Sequence, residues 1–165
     1  MRSAQTLKMH TPVYGRPEYT LREVDSTNLW ARRALAQAVL PDGALFRADF
    51  QRSGRGQRGK SWQAPLGENF LGTWVKIQPG LKADEAFRLS AWMALAVQAV
   101  AVDLLPGKTV QVKWPNDILV EGRKLAGMLV EHLWQGQVIQ ASLLGLGMNV
   151  GQTDFPAELA TPATS

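Results

Sequence analysis

The residues whose types and spacing could best support chemistry lie in one glycine-rich basic segment from Arg47 to Lys60. This stretch holds five basic residues and one acidic residue, so it carries the whole net charge of +4, and the rest of the chain sums to zero. Backbone amides freed by glycine, together with neighbouring cations, bind compact anions such as polyphosphate. Nucleic-acid-binding proteins instead spread their positive charge over a wider face. The pattern therefore favours a loop that receives one compact anion, with a nucleic-acid contact and a simple solvated basic loop as the alternatives.

Residues 54–61 match the phosphate-binding P-loop pattern G-x-x-x-x-G-K-S letter for letter. In a true P-loop the Lys-Ser pair opens a helix whose N-terminal amides face the phosphates. Here Ser61 is followed within six residues by Pro65 and Gly67, which do not sustain a helix. A strand-like run begins at Asn69 in place of the expected helix of a βαβ crossover. We therefore expect phosphate binding from this loop without the P-loop fold.

The elements that position this loop follow from the periodicity of the apolar residues. Strands are predicted over residues 18–24, 44–50, 69–77, 110–114 leading into 118–120, 125–134 and 137–146, and helices over residues 27–38 and 83–105. A chain of 165 residues forms one domain of this content. The prediction is an α+β fold with a mixed, largely antiparallel sheet and helices packed on one face. Residues 1–17 are interpreted as an N-terminal arm.

Composition excludes several classes of protein and of site. A hydrophobic share of 45% with 19% charged residues is that of a globular domain, so a disordered chain is excluded. With no Cys, and with His10 and His132 as the only histidines, we expect neither a zinc site nor a haem. The first residues lack the apolar core of a secretory signal, and the long apolar helix contains Ser90, Gln98 and Asp103. We expect a cytoplasmic protein that does not enter the membrane.

Four motifs carry a resemblance to a known family. Residues 113–117 read K-W-P-N-D and are followed by R-K-L-A-G-M-L-V-E at residues 123–131. Upstream lie D-S-T-N at residues 25–28 and a Q-x-x-G-R-G-x-x-G-x-x-W loop at residues 51–62, and G-L-G-M-N-V follows at residues 145–150. In type, order and spacing these motifs resemble those of the biotin protein ligases. The resemblance covers roughly residues 18–165, which correspond to the catalytic domain of that family.

This resemblance implies a fold of the class II synthetase and biotin ligase type, and a reaction in two steps. Biotin and ATP, with Mg²⁺, would give biotinyl-adenylate and pyrophosphate, and a lysine of a biotin carboxyl carrier protein would then attack the acyl-adenylate. Bringing a carboxylate to a phosphate sets negative charges against each other, so catalysis depends on positioning and on fixed cations. The implied partners are biotin, ATP and the carrier protein.

The resemblance also implies roles for individual residues, motif by motif. The catalytic residues would be Lys124, Arg55 and Arg58. The biotin-binding residues would be Ser26, Thr27, Asn28, Gln51, Arg55, Gly56, Gln57, Trp62, Lys124 and Gly127. The ATP- and adenylate-binding residues would be Arg55, Arg58, Lys60, Lys113, Asn116, Asp117 and Asn149. Asp117 would also be the magnesium ligand, through oxygen and water.

Ordinary structural roles stay open for several of these positions. Ser26 is a good helix N-cap, and this role could coexist with binding of the biotin ureido ring. Trp62 could belong to the core, and Gly127 could be a hairpin glycine. Lys124 by match would lie between the biotin carboxylate and the α-phosphate, whereas most exposed lysines are simply solvated. A ring with two N–H donors and one carbonyl needs only a few hydroxyl and amide partners, which Thr27 and its neighbours supply.

Departures from the family pattern set the alternatives. Many members carry a basic residue where this chain has Gln57, so we expect slower turnover or a leakier adenylate. We expect a catalytic domain without a preceding helix-turn-helix domain and without a following small β-barrel. DNA binding is therefore not expected, and a homodimer is left open. A lipoate or octanoate enzyme of the same fold is a second hypothesis, against which Gln51 and the Ser26-Thr27 pair argue. A non-catalytic biotin-binding module is a third.

Overall fold

The computed structural model describes residues 8–10, 17–156 and 161–165. Its strands are β1 Lys8–His10, β2 Glu18–Val24, β3 Leu45–Gln51, β4 Asn69–Lys82, β5 Val110–Lys113, β6 Asp117–Val120, β7 Arg123–Gln135 and β8 Val138–Asn149, and its helices are α1 Thr27–Gln37 and α2 Ala86–Leu104. The predicted elements are all present. The observed bounds differ from the predicted ones by a few residues. The largest difference is in β4, which continues to Lys82.

The strands form one sheet in the order β1-β2-β3-β4-β8-β7-β6-β5. Strands β2 and β3 are parallel, joined through α1, and every other neighbouring pair is antiparallel. The predicted fold class, a mixed and largely antiparallel sheet with two helices, is confirmed. Of the N-terminal arm predicted for residues 1–17, Lys8–His10 pair with β2, and residues 1–7 and 11–16 lie outside the described residues.

The two helices pack on opposite faces of the sheet, which corrects the prediction that both lie on one face. Val75 and Leu143, partners across β4 and β8, belong to the core with Ala31 of α1. The neighbouring pair Trp74 and Leu144 packs against the core that includes residues of α2. Consecutive strand residues point to opposite faces, so these two cores lie on either side of the sheet. Strand β8 has apolar residues at both odd and even positions, so both of its faces must be buried.

Helix α2 is apolar well beyond the stripe it buries. Its buried residues are Leu89, Met93, Ala94, Val97 and Ala101, and they face the sheet. The opposite side exposes large apolar side chains, among them Trp92 at 63% and Leu95 at 59%. Together with the preceding turn, the helix has the length and hydropathy that a membrane-spanning helix needs. In this structure it lies along the sheet as a half-buried helix.

Two turns bring the motif residues of the C-terminal half together. Strand β5 ends at Lys113 and β6 begins at Asp117, with a cis peptide bond between Trp114 and Pro115 in the turn. The turn from β6 to β7 has positive φ at Glu121 and Gly122, 50° and 76°, as a tight hairpin requires. These turns place Asp117 opposite Gly127 in neighbouring strands. The K-W-P-N-D and R-K-L-A-G motifs are therefore adjacent in space.

Candidate active site

One cavity of about 410 Å³ opens on the face of the sheet that carries α1. Of the sixteen residues predicted for the site, all but Lys113 and Asn149 line it. They come from the start of α1, the end of β3, the basic loop, the β5–β6 turn and β7. A volume of this size suits a small-molecule ligand. The fold thus brings together predicted residues from both halves of the chain, from Ser26 to Gly127.

The inner end of the cavity is a hydrogen-bonded network of neutral side chains. Gln51 Oε1 accepts from the Thr27 amide at 2.8 Å and lies 3.2 Å from the Thr27 hydroxyl. The Thr73 hydroxyl, fully buried on β4, lies 2.8 Å from the Thr27 hydroxyl and donates to Asn28 Oδ1 at 2.6 Å. The Asn28 amide in turn donates to the Glu131 carboxylate at 2.8 Å. The polar groups here are fixed by one another before any ligand binds.

Helix α1 begins next to this network, at Thr27, with Ser26 as its N-cap residue. The predicted N-cap position is correct, but the Ser26 side chain makes no cap hydrogen bond, and it lines the cavity instead. Asp25 binds the Ser26 amide at 2.8 Å and the Arg33 guanidinium at 2.7 and 2.8 Å. The hydrogen bond from Arg33 lowers the pKa of Asp25 to about 2. The aspartate of the D-S-T-N motif therefore holds the start of the helix, and the serine hydroxyl is not used as a cap.

Three glycines of β7 and β8 make room in the cavity. A Cβ atom on Gly145 would lie 2.4 Å from Asn28 Oδ1, so glycine is needed for the network. A Cβ on Gly147 or Gly127 would lie 2.4 or 2.9 Å from the indole of Trp62. The indole packs against this bare backbone, and its Nε1 is buried with no hydrogen-bond acceptor among the described residues. Trp62 thus lies inside the cavity as a side chain from the basic loop.

The basic loop is tied to the sheet by Glu131. Arg55 pairs with its carboxylate at 3.2 Å, and Arg32 of α1 lies 3.7 Å from the same group. The Glu131 side chain is only 17% exposed, whereas Arg55 is 43% exposed. Arg55, predicted to bind biotin and ATP, is therefore held by an ion pair with Glu131, whose carboxylate also accepts from the Asn28 side chain. Its exposed side still lines the cavity.

Cations dominate the outer end of the cavity. Arg58 and Lys60 line it from the loop, and Lys124 lines it from β7. The Lys124 ammonium lies 2.8 Å from Asp117 Oδ1 and 5.4 Å from the centre of the Trp62 ring. Among the described residues that line the cavity, Asp117 is the only one with a carboxylate. An anion bound between these cations would find three positive charges against one negative charge. This end can stabilise charge that develops on a phosphate.

The local geometry of the loop agrees with the rejection of a P-loop. Residues Gln57–Gly59 form a single 3₁₀ turn, and Ser61 pairs with Arg55 as an isolated β-bridge where a P-loop would begin its helix. Arg58 has φ 54° and ψ 40°, the left-handed region that is uncommon for residues other than glycine. Such backbone strain is typical of functional loops.

Two predicted nucleotide-binding residues lie outside the cavity. The Lys113 ammonium donates to the Thr161 hydroxyl at 2.9 Å. The Asn149 amide donates to the carbonyl oxygens of Lys124 and Thr164 at 3.3 and 3.0 Å. Both side chains bind the segment Thr161–Ser165, and Asn149 is buried.

A magnesium site does not arise from the described residues alone. Among them there is no group of three acidic or histidine side chains that could hold a metal. The Asp117 carboxylate is paired with Lys124, so the ammonium already occupies one of its oxygens. Mg²⁺ in nucleotide sites is held by one or two carboxylates together with substrate phosphates. Asp117 by itself fits that pattern only as one ligand beside a bound nucleotide.

Four residues of the site had no predicted role: Gly145 and Gly147 line the cavity, and Thr73 and Glu131 bind the Asn28 side chain that lines it. Glu131 is an acidic residue directly after the uncharged, largely apolar run 125–130 of β7, and this position was a usable signal. Gly145 and Gly147 were part of a recognised motif, and their spacing of two predicts one face of a strand. Thr73 carried no signal, because threonine is common in strands.

Comparison with known proteins agrees with this geometry. The model of the biotin/lipoate A/B protein ligase family matches residues 21–149. The biotin–[acetyl-CoA-carboxylase] ligase of Paracoccus denitrificans is 40% identical over 131 residues, which cover 79% of this chain and 53% of that protein. The chain spans about half the length of the curated relatives it matches.

Solved structures give the same result. The biotin protein ligase of Leishmania major, in complex with biotinyl-5-AMP, is similar with a TM-score of 0.72 and 26% sequence identity. The superposition covers 89% of this chain and 62% of the Leishmania chain. The Aquifex aeolicus biotin protein ligase, in complex with biotin and ATP, is similar with a TM-score of 0.68 and 27% sequence identity. The superposition covers 89% of this chain and 58% of the Aquifex chain. The chain belongs to the biotin/lipoate A/B protein ligase family and corresponds within it to the catalytic domain of the biotin protein ligases.

Proposed function

We propose that this chain activates biotin with ATP and transfers it to a lysine of a biotin carboxyl carrier protein. The observation that carries the proposal is the division of one cavity into a neutral, prearranged end and a cationic end. A ligand that has a neutral polar ring at one end and a carboxylate at the other matches this division. Residues 18–165 would be the catalytic domain, and residues 1–17 an arm.

In the first step the neutral end holds the ureido ring. Thr27, Gln51 and Ser26 offer hydroxyl and amide groups, and the network behind them limits their rotation, so little entropy is lost on binding. The carboxylate then points to Lys124 and the basic loop. One carboxylate oxygen attacks the α-phosphorus of ATP, the bond to the β-phosphate oxygen breaks, and pyrophosphate leaves. Lys124, Arg58 and Lys60 balance the negative charge that accumulates.

In the second step the ε-amine of an acceptor lysine attacks the carbonyl carbon of biotinyl-adenylate. An amide bond forms, AMP leaves as the phosphate monoester, and the amine loses a proton. Lys124 again stabilises the leaving phosphate. We propose that Trp62 must leave its place over Gly127 and Gly147 when the ligand enters, because its indole fills that space in the structure.

We further propose that Asp117 would hold Mg²⁺ if ATP binds as its magnesium complex, and that the metal would offset negative charge on the phosphates. Asp117 would then release Lys124, with which it is paired at 2.8 Å, and the ammonium would be free for the substrate. We also propose that the acceptor belongs to a carboxylase, as the name of the Paracoccus denitrificans relative suggests, and that the protein is cytoplasmic, which suits its composition.

The test is to incubate the purified chain with ATP and magnesium and with biotin, lipoate or octanoate in parallel. Mass spectrometry then reports the acyl-adenylate. We expect biotinyl-adenylate and no adenylate from the other two acids. An adenylate from lipoate or octanoate alone would favour the second family activity. Biotin binding by calorimetry without any adenylate would indicate the non-catalytic binding module.

A further inference from the structure

A short extended segment, Thr161–Ser165, lies directly beside Lys124. Ala163 forms a parallel β-bridge with Lys124. The Lys124 amide donates to the Pro162 carbonyl at 2.6 Å, and the Lys124 carbonyl accepts from the Thr164 amide at 2.9 Å. Both backbone polar groups of the lysine are therefore bound by this segment.

The segment takes the place that β8 leaves open. The pairing between β7 and β8 begins at Ala126, opposite Met148, and β8 ends at Asn149. The first residues of β7 therefore lie past the described pairing with β8. Thr161–Ser165 continues the sheet there, and the Asn149 side chain joins it to β7 by donating to the carbonyls of Lys124 and Thr164.

Motif side chains outside the cavity anchor the segment. Arg123 donates through Nε and Nη2 to the Ala163 carbonyl at 3.0 and 2.9 Å. Lys113 donates to the Thr161 hydroxyl, and Ala163 is 6% exposed. Arg123, Lys113 and Asn149 belong to the motifs, yet none of them lines the cavity. Binding of this segment gives all three a role.

The other neighbour of Lys124 holds it less regularly. Lys124 is paired with Leu119 of β6, where the register shifts after Ile118. At such an irregularity the ladder defines the backbone less well. A misplacement of about 1 Å in a catalytic group can lower a rate roughly a hundredfold. The position of Lys124 therefore depends on its second neighbour.

We propose that Thr161–Ser165 is a positioning element of the active site, which fixes the Lys124 backbone and thereby the place of its ammonium. Arg123 and Asn149 are positioning residues that hold the segment. The proposal rests on the proposed function and adds to it a part of the chain that does not touch the cavity.

The test compares Thr164→Pro with Thr164→Ala. Proline removes the N–H that binds the Lys124 carbonyl and favours an extended residue before it, whereas alanine keeps the N–H. At saturating biotin and ATP, T164P should form biotinyl-adenylate about tenfold or more slowly, with the KM for biotin changed by less than about twofold, and T164A should stay within about twofold of the parent. In a Lys124→Ala background T164P should have no further effect, because it acts through that lysine.

Equal rates for T164P and T164A would overturn the positioning role, as would an undiminished effect of T164P without Lys124. Absence of adenylate in the parent chain would overturn the proposed function instead. Even without adenylate formation, amide hydrogen exchange at Lys124 tests the positioning role. We expect this amide to exchange faster in T164P than in T164A, and equal exchange rates would contradict the positioning role. If T164P does not fold, Arg123→Gln replaces it, and unchanged turnover and exchange in that variant would overturn the proposal.

Discussion

The two ends of the cavity hold their polar groups in different ways. At the neutral end Thr27, Asn28, Gln51 and Thr73 bind one another. Thr27, Asn28 and Thr73 are buried, and Gln51 is partly buried. At the cationic end Arg58 and Lys60 lie in an exposed loop. The neutral end is arranged before binding, whereas the cationic end needs an anion to bring its charges together. The difference indicates that recognition is built into the sheet and that charge stabilisation is completed by the ligand.

The largest effect should come from the cationic end. Lys124→Ala should slow adenylate formation about a hundredfold or more, the size seen when a charge-stabilising group is lost. Single-turnover kinetics with biotin and ATP measure this rate. Lys108→Ala, an exposed lysine in the turn before β5, is the matched control and should leave the rate unchanged. An unchanged rate in Lys124→Ala would remove that residue from the chemistry.

The next effect tests whether the cationic end is short of one charge. Gln57→Arg adds a charge-assisted contact worth roughly 1.5 to 3 kcal/mol, so biotinyl-adenylate should be retained about ten to a hundred times longer. Its release can be followed by trapping the free adenylate with hydroxylamine. Gln63→Arg adds the same charge just past the loop, on an exposed residue that does not line the cavity, and should give no such gain. Equal retention in the two variants would mean that position 57 does not contact the intermediate.

At the neutral end a single buried hydroxyl should matter for both stability and binding. Thr73→Val leaves Asn28 Oδ1 without its donor, which should lower the free energy of unfolding by roughly 1 to 3 kcal/mol. Biotin binding should weaken about tenfold, as a loss of about 1.4 kcal/mol implies. Denaturant unfolding and calorimetry measure the two effects, and Thr109→Val on an exposed turn is the control. Weakened stability with unchanged biotin affinity would separate the network from recognition.

The smallest effect concerns the support of the neutral end by Asp25. Its pKa is lowered to about 2, so the stability that it contributes is present above about pH 4 and is lost as the pH falls towards 2. Because the pair with Arg33 is partly exposed, the contribution should be below about 1 kcal/mol. Between pH 4 and pH 2 the free energy of unfolding should fall further in the parent than in Asp25→Asn, by the amount that the ion pair contributes. The control Asp103→Asn should show the same fall as the parent. Parallel pH curves for all three would contradict the assignment.

Local patterns were enough to predict the elements, but not which face each one covers. Strand β8 has apolar residues at both odd and even positions, so alternation could not assign one side to the core. The register with β4 then placed Leu143 against α1 and Leu144 against the core of α2. A shift of one residue would exchange these faces, and the register depends on pairing between segments far apart in the chain.

The candidate site shows the same limit. The motifs predicted which residues would meet, and all but Lys113 and Asn149 line the cavity. They did not predict that Arg55 would pair with Glu131, 76 positions away, or that Asn28 would bind the same carboxylate across 103 positions. Contacts between residues so far apart in the chain depend on how the strands pack in the sheet. The spacing of residues within one motif carries no information about that packing.

The amino-acid sequence alone determined the fold class, the family and the identity of most residues around the cavity, because these follow from local periodicity and from motif residues whose types the chemistry requires. Tertiary structure alone decided that the helices lie on opposite faces, that Thr73 completes the neutral network, and that Thr161–Ser165 binds the Lys124 backbone. The physical reason is that a buried hydrogen bond needs a donor and an acceptor at a set distance, and only the folded chain fixes that distance.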